Sequence, residues 1–292
     1  MAAHGDFSMD RFGAERPGVE NIDIGRAARS QPDFNFESHS VRSRLEDAIE
    51  GVICPRLVLL HHNSNGRPPE KKPTREDIER LAILAIGNDE TEATSHFENV
   101  RAQQHSFVTL LAYLIAPAAR YLRELCREDR CDFFDVTVGE GRLQAIMDRF
   151  GSTDASSVPD PRRRAVFIAP PGEAEVFSVK VVARFLEAIG WDVRFERALA
   201  AEDAAEAVAG EYVGVVGVTV GAVARLDIAA KTIAKVRASS RNRHVGVMVG
   251  GSIFAESPWL AAQVGADAAW LDAPSAAALA SHLLMRKTAR AL

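Results

Sequence analysis

Cysteine is scarce: the 292 residues hold three, Cys54, Cys126 and Cys131, with no Cys-x-x-Cys pair among them. That excludes a disulfide framework and suits a reducing cytoplasm. Long apolar runs are missing as well. No stretch approaches the ~18–20 residues that span a bilayer, and the opening residues are polar and acidic rather than a secretory signal, so a soluble cytoplasmic protein is expected. Basic residues are in deficit. The 35 Lys and Arg against 40 Asp and Glu give a net charge of -5, whereas a nonspecific nucleic-acid binder needs a clustered cationic surface to neutralise phosphates. Catalytic signatures are absent too: there is no Ser/His/Asp order, Lys-containing phosphate loop or Gly-x-Ser-x-Gly elbow, and the chain reads as a non-enzyme. His61-His62 has no third ligand at metal spacing, so no zinc site is expected.

The hydrophobic content of 47% is enough to bury two modest cores, and the length favours two domains. Residues 1–40 are rich in Gly, Arg, Asp, Asn and Ser without periodicity and read as a flexible arm. Residues 41–73 read as a short helix, with apolar spacing at Leu45, Ile49, Val52 and Ile53, followed by a polar, Pro-containing linker. Thr74 before Arg75-Glu76-Asp77 places an N-cap hydroxyl ahead of an acidic first turn, which suits the positive end of a helix dipole. That helix is stopped by Gly87-Asn88-Asp89. Three further helical segments, 90–103, about 106–125 and about 132–150, complete a predicted four-helix bundle over 74–150. The Ser/Pro/Asp-rich stretch from Gly151 to Arg164 reads as a linker. In 162–292, five short apolar runs, 165–169, 192–196, 213–220, 245–249 and 268–271, alternate with helical patterns and predict an α/β fold: a doubly wound parallel sheet of flavodoxin-like order.

In such a sheet, ligands bind at the carboxyl ends of the strands. Three strand-to-helix turns draw attention there: Pro170-Pro171-Gly172-Glu173-Ala174-Glu175-Val176-Phe177-Ser178, then Thr219-Val220-Gly221, then Gly250-Gly251-Ser252. Glycine at these points lets backbone approach a flat ligand. Glu173 and Glu175 also suit a helix start through the dipole alone. The three turns in this order, with Gly265-Ala266-Asp267 and Trp270-Leu271-Asp272-Ala273 closing the last strand, resemble the cobalamin-binding domain. That family carries Asp-x-His-x-x-Gly at the first turn, its His coordinating cobalt from below; Glu173-x-Glu175-x-x-Ser178 keeps no such His. Thr219 keeps the hydroxyl of the family's Ser-x-Leu, Gly221 replaces its Leu, and Gly250-Gly251 matches fully.

The segment from Pro117 to Gly139, including Cys126, Val136 and Thr137, resembles the AerR/PpaA family, tetrapyrrole-binding antirepressors of bacterial photosynthesis genes. The resemblance extends over about 74–292. In the wider photoreceptor group a Trp stands at the position of Cys126 and a Glu-His pair at those of Val136 and Thr137; Val-Thr-x-Gly is the antirepressor-type pattern. The resemblance implies a helical cap over the upper face of a cobalamin and a site built from Gly172, Glu173, Glu175, Ser178, Thr219, Gly221, Gly250, Gly251, Ser252, Asp272, Cys126, Val136 and Thr137. It also implies a partner, a repressor of the CrtJ/PpsR type, whose binding changes as ligand shifts the cap against the sheet domain. Haem is the alternative ligand, with His96 or His105 as an axial ligand from the cap side. The rival readings are a corrinoid-carrying methyltransferase subunit, which the missing lower His disfavours, and a ligand-free protein-interaction module.

Overall fold

The computed structural model describes residues 71–151, 160–173, 176–197 and 200–289, the last four without their side chains. The expected arm, the helix in 41–60 and most of the linker after it fall outside these residues. The first described helix, α1 (Arg75–Ile86), begins where the capping chemistry places it: the Thr74 hydroxyl accepts from the Asp77 amide, and the Asp77 carboxylate accepts from the Thr74 amide at 2.8 Å. Helix α2 (Glu90–Arg101) is capped by Asp89, whose carboxylate accepts from the Thr91 amide. The third segment is one continuous rod made of α3 (Phe107–Leu110), a π-helical stretch (Leu111–Ile115) and α4 (Ala116–Arg127). Pro117 explains the interruption. It lacks an amide hydrogen and its ring crowds the carbonyl four residues earlier, that of Tyr113, which lies within the widened turn. Helix α5 (Phe133–Phe150) opens on a second capping box, Asp132 with Asp135.

The α/β part runs β1 (Arg164–Ala169), α6 (Val176–Ala188), β2 (Asp192–Arg197), α7 (Ala201–Ala209), β3 (Val215–Thr219), a short 3-10 turn (Val223–Arg225), α8 (Leu226–Ser239), β4 (Gly246–Gly250), α9 (Ser252–Glu256), α10 (Leu260–Gln263), β5 (Ala268–Trp270) and α11 (Ala273–Ala289). All pairings are parallel, in the order β2-β1-β3-β4-β5, as the alternating pattern predicts. One residue of the expected linker, Arg164, belongs to β1.

The two faces of the sheet are covered differently. Val166, Ile168, Val216, Val218, Val247 and Val249 pack under α7 and α8 and the short α9 and α10. On the opposite face Phe167, Val215, Met248 and Trp270 join α6, α11 and bundle residues such as Leu81, Phe97, Leu114 and Leu122 in a single apolar cluster. The π-helical stretch lies against α6 and α11. Helix α5 lies along α6 in parallel: Lys180 donates to Gln144, and Arg184 pairs with Asp148 at 2.8 Å, four residues on in each helix. That register positions the site. One turn above Gln144, α5 is level with the start of α6, and its first two turns continue past the carboxyl edge of the sheet.

Candidate functional site

The mouth of the sheet is made by three turns that hold one another. Gly172 turns the chain after β1 with φ +76°, and a Cβ there would stand 2.8 Å from the Arg225 guanidinium. Arg225, at the end of the 3-10 turn after β3, donates to the carbonyl of Pro171 at 2.9 Å. In the reverse direction Glu173, only 8% exposed, reaches from the β1 turn and its carboxylate accepts from the amide of Gly221 at 2.9 Å. The β1 and β3 turns are therefore tied twice. The β3 and β4 turns are tied as well: Val220 donates to the carbonyl of Gly250 at 2.8 Å, and the Ser252 hydroxyl lies 3.3 Å from the carbonyl of Gly221. Thr219 is buried at the end of β3.

Glu173 thus fastens the mouth together. Asp272, expected at the ligand, caps α11 instead: its carboxylate accepts from the Ser275 amide at 2.8 Å while the Ser275 hydroxyl accepts from the Asp272 amide at 3.0 Å. Ser178 sits half-buried in the first turns of α6, and Glu175 lies outside the described residues.

Gly250 and Gly251, expected to let backbone approach a flat ligand, are both accounted for by contacts within the chain itself. A Cβ at Gly250 would overlap the Trp270 indole, and one at Gly251, where φ is +132°, would overlap the Val220 carbonyl. The slot beside Gly250 is filled by Trp270, 4% exposed.

Above the mouth stands the first half of α5. Residues at positions 134, 137, 141, 144 and 148 recur at intervals of three and four and so share one face of the helix. Low on this stripe Gln144 and Asp148 are bound to α6; higher up, Phe134 is 72% exposed, Thr137 is exposed, and Gly141 has nothing within 4 Å of where a Cβ would lie. The neighbouring Phe133 is 75% exposed, as is Val223 at 66% on the β3 turn. Apolar and small groups therefore stand open beside the mouth on both the helical and the sheet sides. Of the other expected cap residues, Val136 is buried in the bundle core and Cys126, in the last turn of α4, is half-buried against the same core. Burial, reinforced by nearby Cys126, pushes the Cys131 thiol up from its ordinary value.

His96 and His105 are not brought to this place. Phe97 stacks near Phe150 with ring centroids 5.1 Å apart, and the Phe107 ring lies against Gly151, so both histidines lie level with the carboxyl end of α5. Val136 is 14 residues away along that helix, about 20 Å. His96 Nε2 is 3.0 Å from the carbonyl of Asp77 and His105 is buried in the same neighbourhood. Neither is an axial ligand for a group held at the mouth, which removes the residues on which the haem alternative rested. Among the described residues no group of three His, Cys, Asp or Glu side chains is arranged to hold a metal ion.

Arg225, Phe133, Phe134 and Gly141 were not singled out from sequence, and Trp270 was named only as closing the last strand. Gly141 carried a legible signal, a glycine inside a helix where alanine is favoured by about 1 kcal/mol.

A base inserted beside Gly250 would meet the Trp270 indole, which already fills that place. Residues 163–280, within the α/β part, match the B12 binding domain family. The resemblance to AerR-like proteins agrees with a second finding. The chain is 28% identical over 173 residues, 59% of its length and 90% of the other's, to the "Uncharacterized 20.5 kDa protein in bchF-crtJ intergenic region" of Rhodobacter capsulatus. In fold it is similar to the monomethylamine corrinoid protein of Methanosarcina barkeri, with a TM-score of 0.58 and 13% identity, over 73% of this chain and all of that one.

Proposed function

We propose that this chain is a tetrapyrrole-responsive regulator that holds a corrinoid of the cobalamin class between α5 and the sheet mouth, and that occupancy changes its contact with a DNA-binding repressor of the CrtJ/PpsR type. One observation carries the ligand part: the stripe that seals α5 to α6 continues upward as Gly141, Thr137 and Phe134, with nothing packed on it among the described residues. A glycine there weakens the helix without serving any close contact among the described residues, which is understandable if a ligand needs the space. The family match supplies the class of ligand. When bound, a corrin would supply a broad flat disc and a visible absorption band. Gly141 and Thr137 would receive its upper side, and the Gly172 and Gly221 turns its lower side.

The regulatory part rests on the AerR/PpaA resemblance and on the name of the Rhodobacter capsulatus relative, which places that protein's gene beside crtJ. Arg162 is paired with Asp160, and Arg164 with Asp192 and Glu211, so two of the three arginines expected at the linker are neutralised within the fold rather than offered to DNA. A ligand that binds one arrangement of cap and mouth better than another shifts the population, and a partner reading that surface responds. The methyltransferase reading remains disfavoured by Glu at position 175.

The test is a difference-absorbance titration of the full chain with dicyanocobinamide and with hydroxocobalamin, repeated on Gly141→Trp, followed by repressor capture with and without the bound corrinoid. Saturable binding of at least one corrinoid is expected, weakened roughly tenfold or more by the indole placed in the ligand's space. Capture of the repressor should change with ligand. No binding of either corrinoid, or unchanged affinity in a folded Gly141→Trp, would overturn the assignment.

A further inference from the structure

We infer that Trp270 is a specificity-determining residue of the corrinoid site: its indole occupies the buried slot beside Gly250, so the site selects corrinoids that do not insert a lower nucleotide base into the sheet domain. This rests on the corrinoid reading above.

The slot is a property of the two central strands. Gly217 on β3 and Gly250 on β4 have no side chains, and each is paired in register with an aromatic residue on the flanking strand, Gly217 with Phe167 on β1 and Gly250 with Trp270 on β5. Residues paired across parallel strands project to the same face of the sheet. The two rings consequently lean inward over the two glycines: a Cβ built at Gly217 would overlap Phe167, and one built at Gly250 would overlap Trp270. They meet edge to face, with centroids 5.6 Å apart and planes at 78°. Phe167 is wholly buried and Trp270 nearly so, on the face covered by α6 and α11. The trough across β3 and β4, directly below the mouth, is thus filled from both sides by the chain's own aromatics.

The shape of the filler identifies what it excludes. Indole and benzimidazole are both fused bicycles of nine ring atoms, so the space that seats one is the space that would seat the other. A cobalamin entering base first must expel Trp270. Its apparent affinity is then reduced by the small fraction of molecules in which Trp270 has withdrawn. Cobinamide, which has the same macrocycle but no nucleotide, meets only the mouth and the open stripe of α5 and is spared that penalty.

The experiment compares dissociation constants of dicyanocobinamide and cyanocobalamin for the full chain and for Trp270→Ala, read by difference absorbance, with far-UV circular dichroism as the folding control. The wild type should prefer cobinamide by roughly tenfold or more, and Trp270→Ala should erase that preference by gaining cobalamin affinity while holding cobinamide affinity within a few-fold. Should Trp270→Ala not fold, Trp270→Phe keeps an aromatic ring in the core while shortening the plug, and the wild-type ratio stands as a test by itself. Equal binding of both corrinoids by the wild type, unmoved by the substitution, would overturn the role of Trp270 and leave the corrinoid reading standing. Binding of neither corrinoid by either protein would overturn both.

Discussion

Gly251 holds a backbone that other residues resist, with φ at +132° and the Val220 carbonyl where a Cβ would go. Gly210, at the end of α7, has φ -74° and nothing within 4 Å. The two should respond oppositely to alanine. Gly251→Ala should lower stability by about 2 kcal/mol or more through backbone strain and contact, while Gly210→Ala should be neutral or add a few tenths by restricting the unfolded chain. Urea midpoints of the two variants check this, and equal midpoints would contradict the geometry. The Gly-Gly pair was legible in the sequence as a special turn. Its physical cause was not, because the in-register neighbour of Gly250 is Trp270, twenty residues on, and only the strand pairing brings the indole over the glycine. Glu173 shows the same limit: its position at a helix start was readable, its bond to Gly221 across two turns was not.

Helix α5 joins the two parts of the molecule, and its two internal glycines do different things. Gly139 faces inward, where a Cβ would come within 2.6 Å of Leu122 Cδ1 and 2.9 Å of Ile86 Cγ2, so it lets α1 and α4 close on α5. Gly141 faces open space. Gly139→Ala should therefore cost roughly 1–3 kcal/mol by overpacking, whereas Gly141→Ala should raise stability by up to about 1 kcal/mol through helix propensity. Thermal unfolding of both variants decides, and loss of stability in Gly141→Ala would mean that the stripe is already occupied by protein. Elements were the most readable level of this chain. Thr74 announces one helix start through its capping chemistry, Asp89 and Asp132 cap two more that were placed by their apolar spacing, and the five apolar runs become five strands within a few residues of their expected ends. The π-helical stretch before Pro117 was hidden, since a widened turn leaves the apolar spacing of a helix nearly unchanged.

At the scale of the whole molecule, the bundle and the sheet are joined by one apolar cluster and by the polar ladder of Lys180 with Gln144 and Arg184 with Asp148. The lower part of the α5 stripe is fixed against α6 while its upper part stands over the mouth, an arrangement in which a ligand can cover the exposed face of a helix whose inner face is already packed in the bundle. Among the described residues no helix is long and apolar enough to cross a membrane. Sequence reading located the mouth from its turns and placed the cap contribution on Cys126, Val136 and Thr137; Thr137 lies on the open stripe, whereas Cys126 and Val136 pack against the bundle core, because the rotational setting of α5 depends on its pairing with α6.

The central claim is that a corrinoid lies between that stripe and the three turns, and hydrogen exchange of the full chain with and without dicyanocobinamide reads it most directly. Ligand should slow exchange in 133–141 and in the turns at 170–173, 219–225 and 250–254 together, and leave the far end of the bundle around His96 and His105 unchanged. Saturating ligand that protects the histidine end instead, or the turns without α5, would contradict the account.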